Sequence, residues 1–333
     1  MNRRSILRSM AFSSMALSLP QLSIGSVPRS FSSLPIRKGG FSLDGNIIRF
    51  SHPSISKPFL MTMIADTHLF RDDERGKDYV QYSKRMSKAY NTTKHFQTGM
   101  QINPEMAFEE TIKIAGENAS SILALMGDIF SYPSEAAIDW VMQKMDASGL
   151  EYVYTAGNHD WHYEGMEGSS ERLRNTWINK RLLPLYKKRD PLMQKIEING
   201  VNLIVLDNST YEISPEQLSF FSKCISENKP SVLMVHIPLY APGRSVGFGC
   251  GHPEWGAKTD RSYSLERRLQ WPQMGHTKTT MDFYEAVFSA EPLMGVLAGH
   301  IHNQSIDVVN GIPQVVAEAN AEGGYLQVKF VPA

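Results

Sequence analysis

The chain has 333 residues, of which 42% are hydrophobic, so it can bury a sizeable core as one large α/β domain or two smaller domains. This composition excludes a disordered or fibrous protein. Lysine and arginine (34) balance aspartate and glutamate (34), so bulk charge indicates neither a nucleic-acid nor a membrane-surface partner. Two cysteines, Cys224 and Cys250, are too few for a disulfide framework and are expected to be ordinary thiols, with a single disulfide between them as the alternative.

The first 30 residues differ from the rest of the chain. The opening MNRRSILRS places three arginines before an apolar stretch, MAFSSMALSL, that is too short to cross a bilayer. The pair Arg3-Arg4 resembles a twin-arginine export signal, and the alternative interpretation is a serine-rich terminus without a targeting role. Residues 1–30 are therefore predicted to be a signal peptide and a short linker, and the mature protein is expected in the bacterial periplasm.

From Phe41 onward, short apolar segments alternate with helical patterns. Five segments are almost continuously apolar, as expected of strands buried on both faces: FLMTMIA (59–65), SILALM (121–126), EYVYT (151–155), VLMVH (232–236) and LMGVLA (293–298). Three segments carry helical patterns: 103–119, 134–149 and 214–228. The last two begin with a serine that can cap the helix. Two segments contain Asn-Gly between β-rich runs and predict hairpins: 193–207 and 305–318.

Polar side chains that can bind metals follow each of the five apolar strands. Ligands gather outside the carboxyl ends of strands in α/β sheets, so these sites are expected to meet in one crevice. Oxygen and nitrogen donors without a thiolate suit divalent Mn, Fe, Zn or Mg, and there are enough donors for two ions that share a carboxylate. The donors are Asp66, His68, Asp128, Asn158, His236, His300 and His302.

The order of these motifs resembles the calcineurin-like metallophosphoesterase family, whose pattern is D-x-H, G-D, G-N-H-D/E, a lone H and G-H-x-H. All five motifs occur here in that order, from Asp66 to His302. The resemblance implies an α/β fold, a four-layer α/β/β/α sandwich with a dinuclear metal site at the C-terminal ends of its strands. The catalytic domain is predicted to span residues 41–333.

The resemblance also implies a role for each motif residue. The first metal ion is expected to be held by Asp66, His68, Asp128 and His302. The second ion is expected to be held by Asp128, Asn158, His236 and His300. In this assignment His159 is not a ligand; it contacts the phosphoryl oxygen of the substrate and protonates the leaving alkoxide. Asp160 is expected to orient the imidazole of His159.

The expected function is hydrolysis of a phosphorylated small molecule. Two divalent ions roughly 3.5–4 Å apart generate a bridging hydroxide that attacks phosphorus in line. A positioned general acid such as His159 typically adds about 10²–10⁴-fold. We favour a phosphomonoesterase or broad phosphatase. The alternatives are a phosphodiesterase or pyrophosphatase acting on nucleotide or sugar-linked phosphate, since the same motifs serve all of them. A hydrolase of a non-phosphate ester or amide and a catalytically silent metal-binding module are further alternatives.

Two segments, 71–101 and 241–280, are predicted to be insertions that form the rim over the metals and select the substrate. The first has little apolar periodicity and is expected to be a lid without regular structure. The second carries arginines that can bind phosphate and tryptophans that can stack on a base or sugar. The candidate substrate contacts are Arg244, His252, Trp255 and His162, of which His162 has a surface or supporting role as its alternative. Further arginines and a tryptophan lie in the second segment: Arg261, Arg267, Arg268 and Trp271.

Overall fold

The computed structural model of the protein describes residues 39–89, 93–255 and 275–333. The predicted signal peptide (1–30) lies outside these residues. The same is true of Arg261, Arg267, Arg268 and Trp271. The described residues form two six-stranded sheets, a two-stranded hairpin and helices on both sides.

The strands, in chain order, are β1 (Gly40–Asp44), β2 (Ile47–Ser51), β3 (Phe59–Ile64), β4 (Thr93–Lys94), β5 (Gln101–Ile102), β6 (Ile122–Met126), β7 (Tyr152–Thr155), β8 (Met193–Ile198), β9 (Val201–Leu206), β10 (Ser231–Met234), β11 (Leu293–Ala298), β12 (Ser305–Val309), β13 (Ile312–Val316) and β14 (Leu326–Val331). The α-helices are α1 (Val80–Ala89), α2 (Pro104–Glu117), α3 (Glu135–Ser148), α4 (Ser170–Trp177), α5 (Pro215–Ser226) and α6 (Lys278–Ser289). Short helical turns occupy Glu74–Tyr79, Ile178–Leu182, Leu183–Tyr186, Val246–Phe248 and Asn320–Glu322.

The two sheets bring the predicted ligand-bearing strands together. The first sheet has the order β1-β2-β14-β3-β6-β7, and β3, β6 and β7 run parallel. The second has the order β12-β13-β11-β10-β9-β8, and its four middle strands, β13, β11, β10 and β9, are parallel. In each sheet the carboxyl ends of these parallel strands therefore lie along one edge. Both predicted hairpins, β8–β9 and β12–β13, are confirmed.

The apolar runs are continuous because both faces of each sheet are covered. In β6, Ala124 and Met126 point into the core between the two sheets, whereas Leu123 and Leu125 point into a core beneath the helices. In the second sheet, Met234 of β10 joins the core between the sheets, and its neighbour Leu233 packs toward α5 and α6. Three apolar cores separate four layers, which confirms the predicted α/β/β/α sandwich.

Local sequence signals determine where two of the predicted helices begin and end. The Ser134 side chain accepts a hydrogen bond from the Ala137 amide at the start of α3, and Gly149 ends the helix with φ 64° in the left-handed region. Ser214 and Gln217 form a reciprocal capping box at the start of α5. The predicted helix starts are therefore confirmed.

The prediction that 71–101 lacks regular structure was wrong, because the segment contains a helical turn, α1 and the β4–β5 hairpin. Only Ser83 and Met86 of α1 are buried, because most of its residues are polar or charged and few apolar side chains are available for a core. The helix is held by long-range contacts instead: Arg85 pairs with Glu164, whose backbone amide also contacts the sulfur of Met86. Helices α4 and α6 were not predicted either, and α6 begins inside the predicted insertion 241–280.

Two further observations concern the cysteines and membrane-spanning helices. Cys224 and Cys250 are both buried and form no disulfide, as expected. Across the described ranges, no helix combines the length and apolar character needed to cross a membrane.

Candidate active site

The predicted ligands meet at one end of the sandwich, where the two sheets approach each other. The backbone N–H of His300, after β11, donates to Asp66 Oδ2, after β3, over 2.8 Å. His236 Nδ1, after β10, lies 2.9 Å from the backbone oxygen of Met126 in β6. Each contact joins one sheet to the other. Residues from distant parts of the sequence therefore form a single site.

A first group of side chains consists of Asp66, His68 and His302. The Nε2 atoms of the two histidines lie 3.0 Å apart, and His302 Nε2 lies 3.4 Å from Asp66 Oδ1. Asp66 and His68 are fully buried, while His302 is partly exposed. One donor atom from each of the three residues lies within 4.8 Å of the others, which is the spacing of a metal site.

A second group consists of Asp128, His236 and His300. His236 Nε2 lies 3.2 Å from Asp128 Oδ2, and the His236 and His300 rings are 5.2 Å apart. The donor atoms of this group also lie within 4.8 Å of one another. Asp128 Oδ2 is 4.0 Å from His68 Nε2, so this carboxylate stands between the two groups. Asn158 is fully buried in the loop after β7, and its role as a ligand stays a prediction.

The charges around the two groups fit bound cations. Burial disfavours an ionised Asp128, but His236, His159 and His68 hold its pKa well below the usual value. Burial lowers the pKa of His68, as do the neighbouring histidines. Burial also opposes protonation of His236, yet Asp128 and Asp66 raise its pKa to about 10. The carboxylates thus hold positive charge in a buried space, and a divalent ion can take the place of that proton.

The backbone at the site is strained. Non-glycine residues seldom adopt the left-handed region, and each such residue costs about 1 kcal/mol or more. Five of the predicted ligands nevertheless have positive φ: Asp66 (58°), His68 (54°), Asp128 (49°), His300 (73°) and His302 (60°). The surrounding fold therefore holds the ligands in conformations that their local sequences do not favour.

Glycines allow the ligand loops to approach each other. A Cβ atom at Gly157 would lie 2.2 Å from Asp128 Oδ1 and 2.3 Å from the Asp128 backbone nitrogen. A Cβ atom at Gly299 would lie 2.7 Å from Asp66 Oδ2. These distances are shorter than any van der Waals contact, so only glycine allows the backbone to approach this closely at the two positions.

We expect Gly157→Ala to destabilise the protein and weaken its retention of metal. The added methyl group must displace Asp128 or its loop, and overpacking of this kind costs about 1–3 kcal/mol. Thermal unfolding and metal analysis of the purified variant measure the two effects. Gly116→Ala is the matched control, because a Cβ there meets no atom within 4 Å and alanine favours helix α2. Equal stability and metal content in the two variants would contradict the expectation.

His159 lies beside both groups and is partly exposed. Its backbone N–H donates to Asp128 Oδ1 over 2.6 Å, and its ring meets that of His68 edge to face at 4.9 Å. A donor atom of His159 lies within 4.8 Å of donors from His68 and Asp128. The side chain is therefore placed where a substrate at the metal site can reach it.

Asp160 connects the loops after β6 and β7. Its Oδ1 atom accepts a hydrogen bond from the backbone N–H of Phe130 (2.8 Å), and Oδ2 accepts one from that of Gly157 (2.7 Å). Burial, together with the charge of Asp128, raises the pKa of Asp160 to about 8. Both carboxyl oxygens are thus bonded to backbone amides, and the predicted orientation of the His159 imidazole by Asp160 stays a prediction.

We expect Asp160→Asn to lower the free energy of unfolding by about 1–3 kcal/mol, because one buried N–H would face the NH₂ of asparagine and lose its acceptor. Denaturant unfolding measures this loss. Asp146→Asn on the exposed side of α3 is the control and should leave stability unchanged. Unchanged stability of Asp160→Asn would show that these two hydrogen bonds do not hold the loops together.

Arg244 and His252 of the second insertion, predicted to contact the substrate, contact other side chains of the protein. Arg244 pairs with Asp307 of β12 at 3.0 Å, and its guanidinium lies 4.8 Å above the Phe248 ring. The His252 ring packs against Tyr240 at 4.2 Å. These contacts fasten residues 244–252 to the protein, and a role in substrate binding stays a prediction.

Trp255 is buried between two aromatic rings. The Tyr211 ring lies 5.0 Å from the Trp255 ring, and the His276 ring stacks on the Trp255 ring at 4.5 Å. Sequence reasoning missed Tyr211, whose hydroxyl lies 3.1 Å from His300 Nε2. The signal available was its position in the turn after β9, another strand end of the same sheet, but tyrosine was not among the donor types considered.

His162, the remaining predicted contact, is almost fully buried, and its ring lies 6.5 Å from that of His159. The first insertion packs close by, since Arg85 of α1 pairs with Glu164 of the same loop. Contact between His162 and a substrate stays a prediction.

Comparisons with known proteins agree with the fold and the motifs. The family model for calcineurin-like phosphoesterases matches residues 61–304, which include every predicted ligand. Among solved structures, a dimetal phosphatase from Danio rerio has 11% sequence identity and a TM-score of 0.50, and the match covers 81% of this chain and 91% of that chain. Purple acid phosphatase PPD1 from yellow lupin (Lupinus luteus) seeds has 14% identity and a TM-score of 0.48, with 83% and 46% covered.

No curated protein matches the chain significantly. At such low identities the solved structures establish only the fold, whereas the family match extends over more than half of the chain. The chain therefore belongs to the calcineurin-like phosphoesterase family and is a metal-dependent phosphoester hydrolase.

Proposed function

We propose that the protein is a phosphomonoesterase or broad phosphatase in which His159 protonates the leaving alkoxide. The observation that carries this proposal is the partly exposed His159 beside two donor groups, with the buried Asp128 carboxylate standing between them. When bound, two divalent ions supply charge neutralisation and an activated water for attack on phosphorus.

The chain's own residues have separate tasks in this proposal. The ligands of one ion are Asp66, His68, Asp128 and His302. The ligands of the other are Asp128, Asn158, His236 and His300. The Asp128 carboxylate also accepts the backbone N–H of His159, which fixes the loop that carries the acid. His159 donates its imidazole proton to the leaving oxygen, so that a poor leaving group departs as a neutral alcohol.

The preference for monoesters is supported by the two segments that flank the site. Helix α1 packs on the loop of His159 through the Arg85–Glu164 pair. On the other flank, Trp255 packs on Tyr211 beside His300. Walls on both flanks suit a phosphate with one organic group, whereas a diester needs room for a second.

A substrate panel with and without chelator tests this proposal. It contains p-nitrophenyl phosphate, bis(p-nitrophenyl) phosphate, nucleotides, sugar phosphates and pyrophosphate, with Mn, Fe, Zn or Mg added in turn. We expect chelator-sensitive turnover, with kcat/KM at least about tenfold higher on monoesters than on diesters, or about 1.4 kcal/mol in activation free energy. Faster diester turnover would replace the proposal with a phosphodiesterase. No chelator-sensitive turnover on any ester would overturn it.

Metal analysis separates an enzyme from a silent metal-binding module. We expect about two divalent ions per chain after purification with metal present, as the shared-carboxylate arrangement requires. Well under one ion per chain would overturn the dinuclear assignment.

We also propose that the protein is exported through its twin-arginine motif. The support is the pair Arg3-Arg4 before a short apolar stretch. Replacing both arginines with lysine should retain the protein in the cytoplasm of a bacterial host, whereas the unaltered chain should appear in the periplasmic fraction. Equal distribution of the two proteins would contradict export by this route.

A further inference from the structure

We propose that Tyr211 is a positioning residue for His300, directing Nε2–H of this histidine toward its phenol oxygen and leaving Nδ1 to bind a metal ion. The inference rests on the proposed function, because it takes His300 as a ligand of the second ion. It also gives the second insertion a role other than substrate contact, because Trp255 of that segment packs against Tyr211.

The contact between the two side chains is direct. Tyr211 Oη lies 3.1 Å from His300 Nε2, and the rings meet edge to face at 5.6 Å. The His300 backbone is held separately, since its N–H donates to Asp66 Oδ2 over 2.8 Å. His300 is thus fixed at its backbone by the first sheet and at its ring by Tyr211.

The chemistry of imidazole determines the direction of this hydrogen bond. A neutral imidazole carries hydrogen on one nitrogen and a free lone pair on the other, and only the lone pair can bind a metal. Metal-binding histidines usually donate the second N–H to a neighbouring acceptor. If His300 is a ligand, its Nε2–H donates to the phenol oxygen of Tyr211, and Nδ1 faces the ion.

Tyr211 is itself held in place by its own loop and by an aromatic stack. Its backbone has φ 65°, in the left-handed region, and its N–H donates to the Asn208 carbonyl over 2.8 Å. Its ring packs against Trp255, which stacks on His276 with an interplanar angle of 18°. The phenol oxygen therefore has little freedom to move away from His300.

Glu212, the residue after Tyr211, contacts His276 at the end of this aromatic stack. Its Oε1 atom lies 3.0 Å from His276 Nδ1, and the Thr277 hydroxyl donates to Oε2 over 3.0 Å. His276 Nε2 accepts the Gly251 N–H over 3.0 Å, so Nδ1–H donates to the carboxylate. The described parts of the second insertion, 241–255 and 275–280, are thereby connected, through Trp255 and Tyr211, to the proposed metal ligand.

The test compares metal affinities of Tyr211→Phe and the unaltered protein. Metal-free protein is titrated with Zn²⁺ or Mn²⁺ against a competing chelator, without any activity assay. We expect one of the two ions to bind about 10–100-fold more weakly in Tyr211→Phe, because the histidine loses its acceptor. Phenylalanine keeps the ring and its packing against Trp255. Tyr284→Phe on α6 is the control and should bind both ions normally.

A tautomer measurement separates positioning from a general structural effect. In ¹⁵N spectra of the zinc-loaded protein, His300 should carry its hydrogen on Nε2, with a resonance that changes in Tyr211→Phe and not in Tyr284→Phe. Hydrogen on Nδ1 of His300, or unchanged affinity in Tyr211→Phe, would overturn the inference.

His300→Ala distinguishes failure of the inference from failure of the proposed function. If His300→Ala binds both ions as tightly as the unaltered protein, the ligand assignment itself is wrong. If His300→Ala loses an ion while Tyr211→Phe loses nothing, the ligand assignment stands and only the role of Tyr211 is wrong.

Discussion

Asp128→Asn is expected to abolish binding of two metal ions and to remove nearly all phosphoester hydrolysis. Asp128 stands between the two donor groups, 3.2 Å from His236 Nε2 and 4.0 Å from His68 Nε2. Asparagine has nearly the same shape but carries no charge. Removing a side chain that only hydrogen-bonds to a metal ligand lowers metal affinity about 10–100-fold. Removing an anionic side chain that binds both ions should lower metal affinity by more than that.

Metal analysis and chelator titration measure the effect of Asp128→Asn, and circular dichroism checks that the variant is folded. The control is Asp282→Asn, which removes an exposed carboxylate that pairs with Lys278 on α6. If Asp128→Asn binds two ions with unchanged affinity, a shared carboxylate is not part of the site. The two ions would then need a different set of ligands.

His159→Ala is expected to keep its metal ions and to hydrolyse some phosphate esters much more slowly than others. Removal of a positioned general acid typically costs about 10²–10⁴-fold, and the loss should fall on alkyl phosphates, whose leaving oxygen needs a proton. Activated aryl phosphates leave as stable anions, so their hydrolysis should fall far less. His159 reaches this role through its position beside His68 and its partial exposure.

A series of phosphate monoesters with leaving groups of increasing pKa measures this selectivity. The rate ratio between the unaltered protein and His159→Ala should rise along the series, with unchanged metal content. His52→Ala removes a histidine after β2 outside the donor groups and is the control. Its rate ratio to the unaltered protein should stay near one along the whole series. An equally flat ratio for His159→Ala would contradict a general acid, and loss of metal would identify His159 as a ligand.

Much of the fold and site was predictable because the relevant signals are local. Continuous apolar runs such as those of β6 and β10 indicate strands covered on both faces, and serine caps indicate where α3 and α5 begin. The metal-binding side chains directly follow strands, and parallel strands align their carboxyl ends. The position of each motif along the chain was therefore sufficient to predict which side chains would converge.

Helix α1 could not be predicted from local sequence signals. Its sequence is mostly polar and offers few apolar side chains to mark a buried face, and its support comes from Glu164, far along the chain. Helical stability of this kind comes from tertiary contacts, which local periodicity does not encode.

The sequence by itself indicated the family and the candidate donors, because the motifs depend on residue type and short-range order, and the resemblance to that family implied the four-layer architecture. Only the tertiary structure decided how those donors are held. The positive φ of Asp128, the hydrogen bonds of Asp160 to two backbone amides and the contact of Tyr211 with His300 join residues from separate loops. Such contacts depend on distances between segments that meet only after folding, so a linear pattern does not contain them.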